Sequence, residues 1–170
     1  MMKIETERLY IRHFVNEDAS ICFEGWGTDE HLGDFIMGYP MNMDQMNSFV
    51  NAMVKNTNAW VIVEKESGAY ISFDIPYQEL RIGEIGYVIG EKWHGKGYGT
   101  EAVKKMISEY LSKDRLYLIE AKCNIDNKPS LNLLEKVGFI KDGVLRKRRI
   151  DKNTGEYRDL VVYSITTNDK

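Results

Sequence analysis

The chain has 170 residues, of which 43% are hydrophobic and 29% are charged, and its formal net charge at pH 7 is −3. This length suits one globular domain with a single hydrophobic core. The small negative charge gives no general attraction to nucleic acid or anionic membranes, and no apolar run approaches the length of a membrane span. We therefore expect a single domain over residues 1–170, with no membrane partner and with nucleic acid disfavoured as a partner.

The N-terminal residues, the cysteines and the histidines further limit the class of protein. The first eight residues carry charges where a signal peptide needs an apolar core, which predicts a cytoplasmic protein. Cys22 and Cys123 lie far apart in the sequence, and we expect both to be small buried side chains rather than a disulfide. The three histidines are scattered, so the sequence predicts no metal site.

The first third of the chain predicts one strand and two helices. Polar and apolar residues alternate over 6–14, which predicts the first strand. The pattern from Glu17 to about Trp26 predicts a helix, after which glycines interrupt the chain up to Pro40. Asn42 is a good helix cap, and it precedes apolar residues at helical spacing.

The middle of the chain predicts strands that lead into a glycine-rich loop. Residues 60–63 and 70–75 are predicted to form a hairpin that turns at Glu66-Ser67-Gly68, and residues 82–89 to form another strand. The loop then opens a helix whose apolar residues recur at helical spacing up to Leu111.

The last third predicts a strand, a helix and a hairpin. The strand covers residues 116–124, and the helix covers Asn127 to Val137 with Gly138 just beyond its end. Residues 144–150 and 157–165 form the final hairpin. This order of seven strands and interspersed helices predicts an α/β fold, with a mixed sheet flanked by helices.

The most informative segment is the glycine-rich loop, Trp93-His94-Gly95-Lys96-Gly97-Tyr98-Gly99-Thr100. Glycines at this density let the backbone turn sharply and point successive N–H groups at one place. The helix that follows adds the positive end of its dipole. Together these features predict a seat for a phosphate or pyrophosphate.

Several kinds of phosphate site share such glycines. Residues 90–96 fit the start of a P-loop, but Gly97 stands where the magnesium ligand Ser or Thr is needed. A dinucleotide fingerprint fits Gly95 and Gly97, but Thr100 replaces its third glycine. A third interpretation is the pyrophosphate loop of an acetyl-coenzyme A enzyme, and a fourth is a tight turn that binds nothing.

A second motif brings a family resemblance. It runs from Asn124 through Asn127 and Ser130 to Lys136-Val137-Gly138-Phe139. With the glycine loop, the N-terminal run Glu5-Thr6-Glu7-Arg8-Leu9 and the C-terminal run 158–164, it resembles the GNAT superfamily of N-acetyltransferases. The similar branch includes the ribosomal-protein N-terminal alanine and serine acetyltransferases. The resemblance implies acetyl-CoA as the cofactor and a mostly antiparallel, seven-stranded mixed sheet.

The resemblance also implies which residues bind the cofactor. In the family the backbone of the glycine loop holds the pyrophosphate, which here assigns His94, Gly95, Lys96, Gly97, Tyr98, Gly99 and Thr100. His94 departs from the usual Gln or Arg. The strand residues Tyr87, Val88 and Ile89 would pair with the pantetheine arm, and a backbone N–H near Val88 would polarise the acetyl carbonyl. Asn127 matches an asparagine that contacts pantetheine, although a plain N-cap explains it equally.

The candidate catalytic residues are Glu84 and Ser130. Glu84 lies on the strand before the loop, where related enzymes carry a carboxylate that acts as the base; an exposed strand glutamate that only aids solubility is the alternative. Relatives carry a Tyr at the position of Leu134 as the acid. Ser130 is the substitute suggested by this branch, at the cofactor sulfur, unless its hydroxyl only bonds to backbone.

The resemblance implies acetyl transfer to a primary amine, by direct attack in a ternary complex. The acceptor is a peptide or protein N-terminus, a polyamine or a small amine. Acidic and aromatic residues such as Trp26, Asp29 and Tyr39 are candidates for binding a cationic amine, or else are ordinary surface and core. The alternative function is a non-catalytic coenzyme A-binding module with a sensory or regulatory role. The final hairpin is a candidate surface for a homodimer, and the basic run 146–149 either meets an acidic partner or RNA or protects an exposed edge.

Overall fold

The computed structural model of the chain describes residues 3–36, 38–63, 69–113, 115–151 and 153–169. The chain divides into two compact units. The first contains Met1–Phe73 and Gly86–Ala102, and the second contains Asp74–Ile85 and Val103–Lys170.

The strands of the first unit are antiparallel to one another. They are β1 (Lys3–Glu5), β2 (Tyr10–His13), β3 (Ala59–Val63) and the first part of β4 (Ala69–Tyr77). β1 pairs with β2, β2 with β3, and β3 with residues 69–72 of β4. The predicted hairpin is therefore present, while its predicted turn at 66–68 lies outside the described residues.

The prediction of one unbroken strand over residues 6–14 is wrong. A turn separates β1 from β2, and both ends of the turn are bonded. The N–H of Thr6 donates to the Leu9 carbonyl at 3.0 Å, and the N–H of Leu9 donates to the Thr6 hydroxyl at 3.0 Å. Because the Thr6 hydroxyl accepts a backbone bond, the chain reverses here instead of staying extended.

Helices of the first unit pack beside these strands. α1 (Asp18–Cys22) continues into a π-helical turn (Phe23–Gly27), and α2 (Leu32–Phe35) follows. α3 (Met43–Lys55) begins at a capping box, in which the Asn42 side chain and the third helical residue bond reciprocally to backbone N–H groups. The predicted cap is confirmed.

The core of the first unit combines helix and strand residues. Its buried members are Phe14, Ala19, Cys22, Trp26, Tyr39, Met46, Val50, Ala59, Val61 and Val88. At its side, Asp18 is only 2% exposed. Two nitrogens of Arg12 lie 2.6 and 2.7 Å from its carboxylate, so the buried charge is compensated.

The second unit contains the parallel pairing of the fold. β5 (Ile82–Val88) pairs in parallel with β6 (Leu118–Asn124). β8 (Tyr157–Thr166) pairs antiparallel with β6 on one side and with β7 (Ile140–Ile150) on the other. The sequence identified each of these strands, with β7 beginning four residues earlier than predicted.

Two longer helices belong wholly or partly to the second unit. α4 (Tyr98–Ser112) follows the glycine loop, and α5 (Lys128–Val137) begins after Asn127 and ends at Gly138, whose φ is 106°. The core of this unit includes Val103, Met106, Ile107, Tyr110, Leu111, Leu116, Ile119, Ala121, Cys123, Leu134, Phe139, Val161, Tyr163 and Ile165. The predicted apolar face of α4 is thus confirmed.

The predicted mixed α/β class is confirmed, although the strands differ in number. The described residues form eight strands rather than seven, because the first predicted strand is two. Within the described part of the chain, no helix is both long and apolar enough to cross a membrane.

Candidate functional site

The glycine loop has the backbone that an anion seat needs. A short 3-10 turn (Glu91–Trp93) leads into it, and α4 begins at Tyr98. Gly95 and Gly97 have φ of 75° and 79°, in the left-handed region that favours glycine. Both glycines and the intervening Lys96 are exposed. N–H groups in the first turn of a helix have no acceptor within the helix, so this end of α4 can donate to an anion.

His94 ties the loop to the end of β5. Its Nε2 lies 2.8 Å from the carbonyl oxygen of Ile89. A carbonyl oxygen only accepts hydrogen bonds, so Nε2 carries the proton in this contact. His94 therefore fixes the path of the loop through its side chain, a function separate from any contact with a ligand.

The entrance of the loop packs closely on the π-helical turn of the same unit. A Cβ atom added to Gly90 would lie 2.2 Å from the Gly25 carbonyl oxygen, so only glycine fits. Beside it, the N–H of Glu91 donates to the Asp29 carboxylate at 3.2 Å. Asp29, a candidate for binding a cationic acceptor, thus holds the backbone that precedes the loop.

The amino-terminal motif contacts both the glycine loop and the first turn of α4. The Nε and Nη2 atoms of Arg8 lie 2.7 and 2.6 Å from the Glu101 carboxylate, and its Nη1 donates to the Lys96 carbonyl at 2.8 Å. The guanidinium also lies over the Tyr98 ring, 4.8 Å from its centroid. Sequence reasoning missed this role, since Arg8 entered only as part of a family resemblance.

Glu101 lies in the first turn of α4 and is held by several donors. The Thr6 hydroxyl donates to its Oε1 at 2.5 Å, and the Arg8 backbone N–H donates to the same atom at 3.0 Å. Desolvation raises the pKa of Glu101, but the bonds from Thr6 and Arg8 outweigh it and leave the pKa below its ordinary value. Glu101 is therefore ionised and neutralised in place.

The strand before the loop carries the other candidate cofactor residues. Val88 is 2% exposed, whereas Tyr87 and Ile89 are partly exposed. The parallel pairing of β5 with β6 covers residues 82–84 only, although β5 continues to Val88. The end of β5, up to Val88, therefore extends past the residues that pair with β6.

Glu84 belongs to an ion cluster on one face of the second unit. It pairs in register with Glu120, and Lys122 Nζ lies 2.5 Å from the Glu84 carboxylate and 3.7 Å from that of Glu120. The hydrogen bond to Glu84 raises the pKa of Lys122 above its ordinary value. The Glu84 side chain is 39% exposed, so it is accessible as well as paired.

Asn127, Ser130 and Cys123 lie together at the start of α5. The Asn127 side-chain oxygen accepts from the Ser130 N–H at 3.2 Å, which confirms the N-cap. The Cys123 Sγ lies 3.9 Å from the Asn127 carbonyl oxygen. Burial raises the pKa of the Cys123 thiol, and a hydrogen bond with the Ser130 side chain opposes this. The candidate catalytic hydroxyl therefore has a thiol neighbour.

Other candidate residues lie in the two cores. Leu134, at the position where relatives carry a Tyr, is 1% exposed in the core of the second unit. Trp26 and Tyr39 are 1% and 5% exposed in the core of the first unit. These two aromatic residues are therefore core residues and not an open groove for a cationic amine.

Comparison with known proteins agrees with this geometry. A family profile described as the acetyltransferase (GNAT) domain matches residues 8–140. The uncharacterized N-acetyltransferase YoaA of Bacillus subtilis is 32% identical, over 95% of this chain and 95% of its own. The Escherichia coli [ribosomal protein uS5]-alanine N-acetyltransferase is 26% identical, over 99% of this chain and 92% of its own.

A solved structure shows the same fold with a ligand. The Microcin C7 self-immunity acetyltransferase MccE, in complex with acetyl-CoA and AMP, is 25% identical and matches with a TM-score of 0.85, covering 95% of this chain and 93% of that chain. Of the four interpretations of the glycine loop, these comparisons favour the acetyl-CoA enzyme.

Proposed function

Because the chain belongs to the GNAT family of acetyltransferases and is an acetyl-CoA-dependent N-acetyltransferase, we propose that it acetylates the N-terminus of a peptide or protein. The relative that acts on a ribosomal-protein alanine supports this choice of amine. We further propose that the whole chain acts as one N-acetyltransferase domain, since the family match crosses both units.

The residues present fit the cofactor. The left-handed glycines and the first turn of α4 supply N–H donors, and the proposed ligands of the pyrophosphate are the backbone groups from His94 to Thr100. The one carboxylate of that turn, Glu101, is already neutralised by Arg8. Because Arg8 balances the charge of Glu101, this carboxylate does not strongly repel an anion at this helix end.

The remaining cofactor contacts follow from β5 and α5. Residues 87–89 lie beyond the pairing with β6, which supports backbone pairing with the pantetheine arm. In this proposal the Val88 N–H donates to the acetyl carbonyl oxygen, where negative charge develops during transfer. Asn127 contacts the pantetheine side while it also caps α5. Acetyl-CoA, when bound, supplies the thioester that the amine attacks.

Glu84 is the proposed base. It accepts a proton from the ammonium of the acceptor, directly or through water, so that the free amine attacks the thioester directly in a ternary complex. Its exposure supports this, since a carboxylate side chain that is 39% exposed can be reached by the acceptor ammonium or by a bridging water. Ser130 is proposed to donate a hydrogen bond from its hydroxyl to the cofactor sulfur as the bond to the acetyl group breaks.

The glycine loop that opens α4 carries this proposal, and a thiol-release assay tests it. Coenzyme A release is followed with a thiol-reactive dye, using N-terminal peptides, polyamines and amino sugars as acceptors. We expect turnover with peptides. Turnover confined to polyamines or amino sugars would replace the peptide acceptor with that class, and failure to bind acetyl-CoA in calorimetry would contradict the assigned loop.

A further inference from the structure

Strand β7 carries a basic run that the reaction described above does not use. Between the pairs Leu145–Leu160 and Arg149–Arg158, β7 has three residues where β8 has one. The strand bulges there, and Lys147 takes a φ of 55°. A cavity of about 470 Å³ lies against this bulge, lined by Val144, Leu145, Arg146, Lys147, Arg148 and Asp159.

Lys147 and Asp159 hold the bulge together. The Lys147 N–H donates to Asp159 Oδ1 at 3.0 Å, and Lys147 Nζ lies 3.9 Å from the same oxygen. The same ammonium donates to the Tyr157 carbonyl at 3.0 Å. The carboxylate that lines the cavity is therefore already satisfied and does not repel an anion at full strength.

The three arginines of the run, Arg146, Arg148 and Arg149, have no such compensation. None has a carboxylate within 4.0 Å among the residues that the structure describes. Arg158, directly opposite Arg149, shows the contrast, because it contacts Asp126, Asp151 and Glu156 at 3.8, 3.4 and 3.0 Å. Adjacent like charges on paired strands are unfavourable, so a bound anion would relieve repulsion here.

We propose that the arginine surface formed by Arg146, Arg148 and Arg149 binds carboxylate side chains of the peptide whose N-terminal amine is acetylated. Guanidinium groups bind carboxylates through paired N–H donors. This inference rests on the proposed function, and it favours an acidic peptide over a neutral peptide and over a polyamine, whose charge the surface would repel.

The position of Arg149 connects the surface to the candidate catalytic residues of the same unit. Arg149 pairs in register with Arg158, whose Nε lies 3.8 Å from the carboxylate of Asp126, the residue before the N-cap of α5. Ser130 is the residue proposed to meet the cofactor sulfur. Ser130 lies in the first turn of α5, so the contact of Arg158 with Asp126 places Arg149 near the same end of that helix.

Protection of an exposed edge strand does not by itself explain the three arginines. One lysine and a bulge already disrupt edge-to-edge pairing, and Lys147 supplies both. Three further uncompensated arginines beside it add repulsion without adding to that protection.

The test compares acceptors that differ only in charge. One pair is an N-terminal serine peptide with three acidic residues and its Asn/Gln copy; the other is O-phosphoethanolamine and ethanolamine. The variants are Arg146→Gln/Arg148→Gln/Arg149→Gln together and, as a control on the same strand, Lys141→Gln. Acetyl transfer gives kcat/KM, anisotropy of a dye-labelled acidic peptide gives its Kd, and calorimetry gives the acetyl-CoA Kd.

We expect wild type to prefer the acidic peptide to its Asn/Gln copy by about tenfold, the size expected of a few exposed ion pairs acting together. The triple variant should lose this preference and keep its acetyl-CoA affinity, while Lys141→Gln should keep both. A preference confined to O-phosphoethanolamine would contradict a peptide carboxylate as the bound anion. Equal reactivity within both pairs, or a preference that survives the triple variant, would overturn the proposal. If acetyl-CoA does not bind, the proposed function fails, and anisotropy alone decides whether the surface binds anions.

Discussion

Arg8 and Glu101 form a bidentate contact that joins the amino-terminal turn to the first turn of α4. Two side-chain nitrogens of Arg8 and its backbone N–H all bind the Glu101 carboxylate, at 2.6 to 3.0 Å. A bare carboxylate at this helix end would repel the pyrophosphate that the loop is proposed to hold. Arg8 is thus a positioning residue whose charge balances Glu101.

Replacing Arg8 should weaken binding of coenzyme A through Glu101. We expect Arg8→Gln to raise the Kd by about two- to fivefold, the scale of a charge near a helix end. Arg8→Gln/Glu101→Gln should recover most of this loss, because the uncompensated carboxylate is gone. Calorimetry with coenzyme A measures both, and pantetheine, which lacks the pyrophosphate, is the control ligand. An equal loss of pantetheine affinity would point to a structural effect instead.

Glu101 should also make stability depend on pH. Its pKa in the folded chain lies below the ordinary value of 4.5, so its contribution to stability is full above that value and is lost as the pH falls through the folded pKa. The Tm of wild type should therefore exceed that of Glu101→Gln at pH 7, and the gap should narrow below pH 4.5. A gap that stays constant between pH 7 and pH 3 would contradict the assignment.

Glycine substitutions should separate backbone strain from steric clash. Gly95→Ala meets no atom within 4 Å but must adopt a φ of 75°, so we expect a cost of about 1 kcal/mol. Gly90→Ala meets the Gly25 carbonyl oxygen at 2.2 Å and should cost more, about 1–3 kcal/mol. Gly143→Ala, with open space and no left-handed φ, is the control and should leave stability unchanged or slightly higher. Urea unfolding gives the ranking, and equal costs for all three would show that neither feature matters.

Two helix caps allow the two functions of Asn127 to be separated. Asn127→Ala and Asn42→Ala each remove a side-chain cap, so each should lower the free energy of unfolding by about 1 kcal/mol. Only Asn127→Ala should also weaken acetyl-CoA binding, because only Asn127 is a proposed pantetheine contact. If both variants bind acetyl-CoA like wild type, Asn127 is a cap and nothing more.

The ion cluster around Lys122 offers a matched test of the base. Glu84→Gln should lower kcat by about a hundredfold or more, the range of general base catalysis. Glu120→Gln changes the residue that pairs in register with Glu84 in the same cluster, and it should leave kcat within a few-fold of wild type. Acetyl transfer measured under saturating acetyl-CoA gives both values. Similar kcat values for the two variants would remove Glu84 from the mechanism.

Much of the fold was predictable because local signals agreed with the packing. Asn42 and Asn127 cap helices where the sequence placed them, and the apolar spacing of α4 predicted its buried face. The turn at Thr6 was missed although three consecutive polar residues, Thr6-Glu7-Arg8, interrupt the alternation of polar and apolar residues there. Two bonds between Thr6 and Leu9 close that turn: the Thr6 N–H donates to the Leu9 carbonyl, and the Leu9 N–H donates to the Thr6 hydroxyl.

The candidate site was predictable as a loop but not as a set of contacts. Left-handed torsions at Gly95 and Gly97 follow from glycine spacing. The contacts of Arg8 with Glu101 and Lys96 join residues about ninety positions apart, and no periodicity or spacing in the sequence encodes such a pairing. The same holds for the bond between His94 and Ile89, which local patterns could not distinguish from a ligand contact.

The burial of both cysteines has a practical consequence for the thiol-release assay. Cys22 is fully buried, and desolvation raises its pKa to about 12, while burial also raises that of Cys123, which is 6% exposed. Only thiolates react quickly with a thiol-reactive dye, so the cysteines of the native enzyme should contribute almost no signal to the assay. A slow background signal in the thiol-release assay would then come from opening of the core, which exposes the cysteines to the dye. The fast phase of one experiment would therefore measure turnover, and the slow phase would measure unfolding.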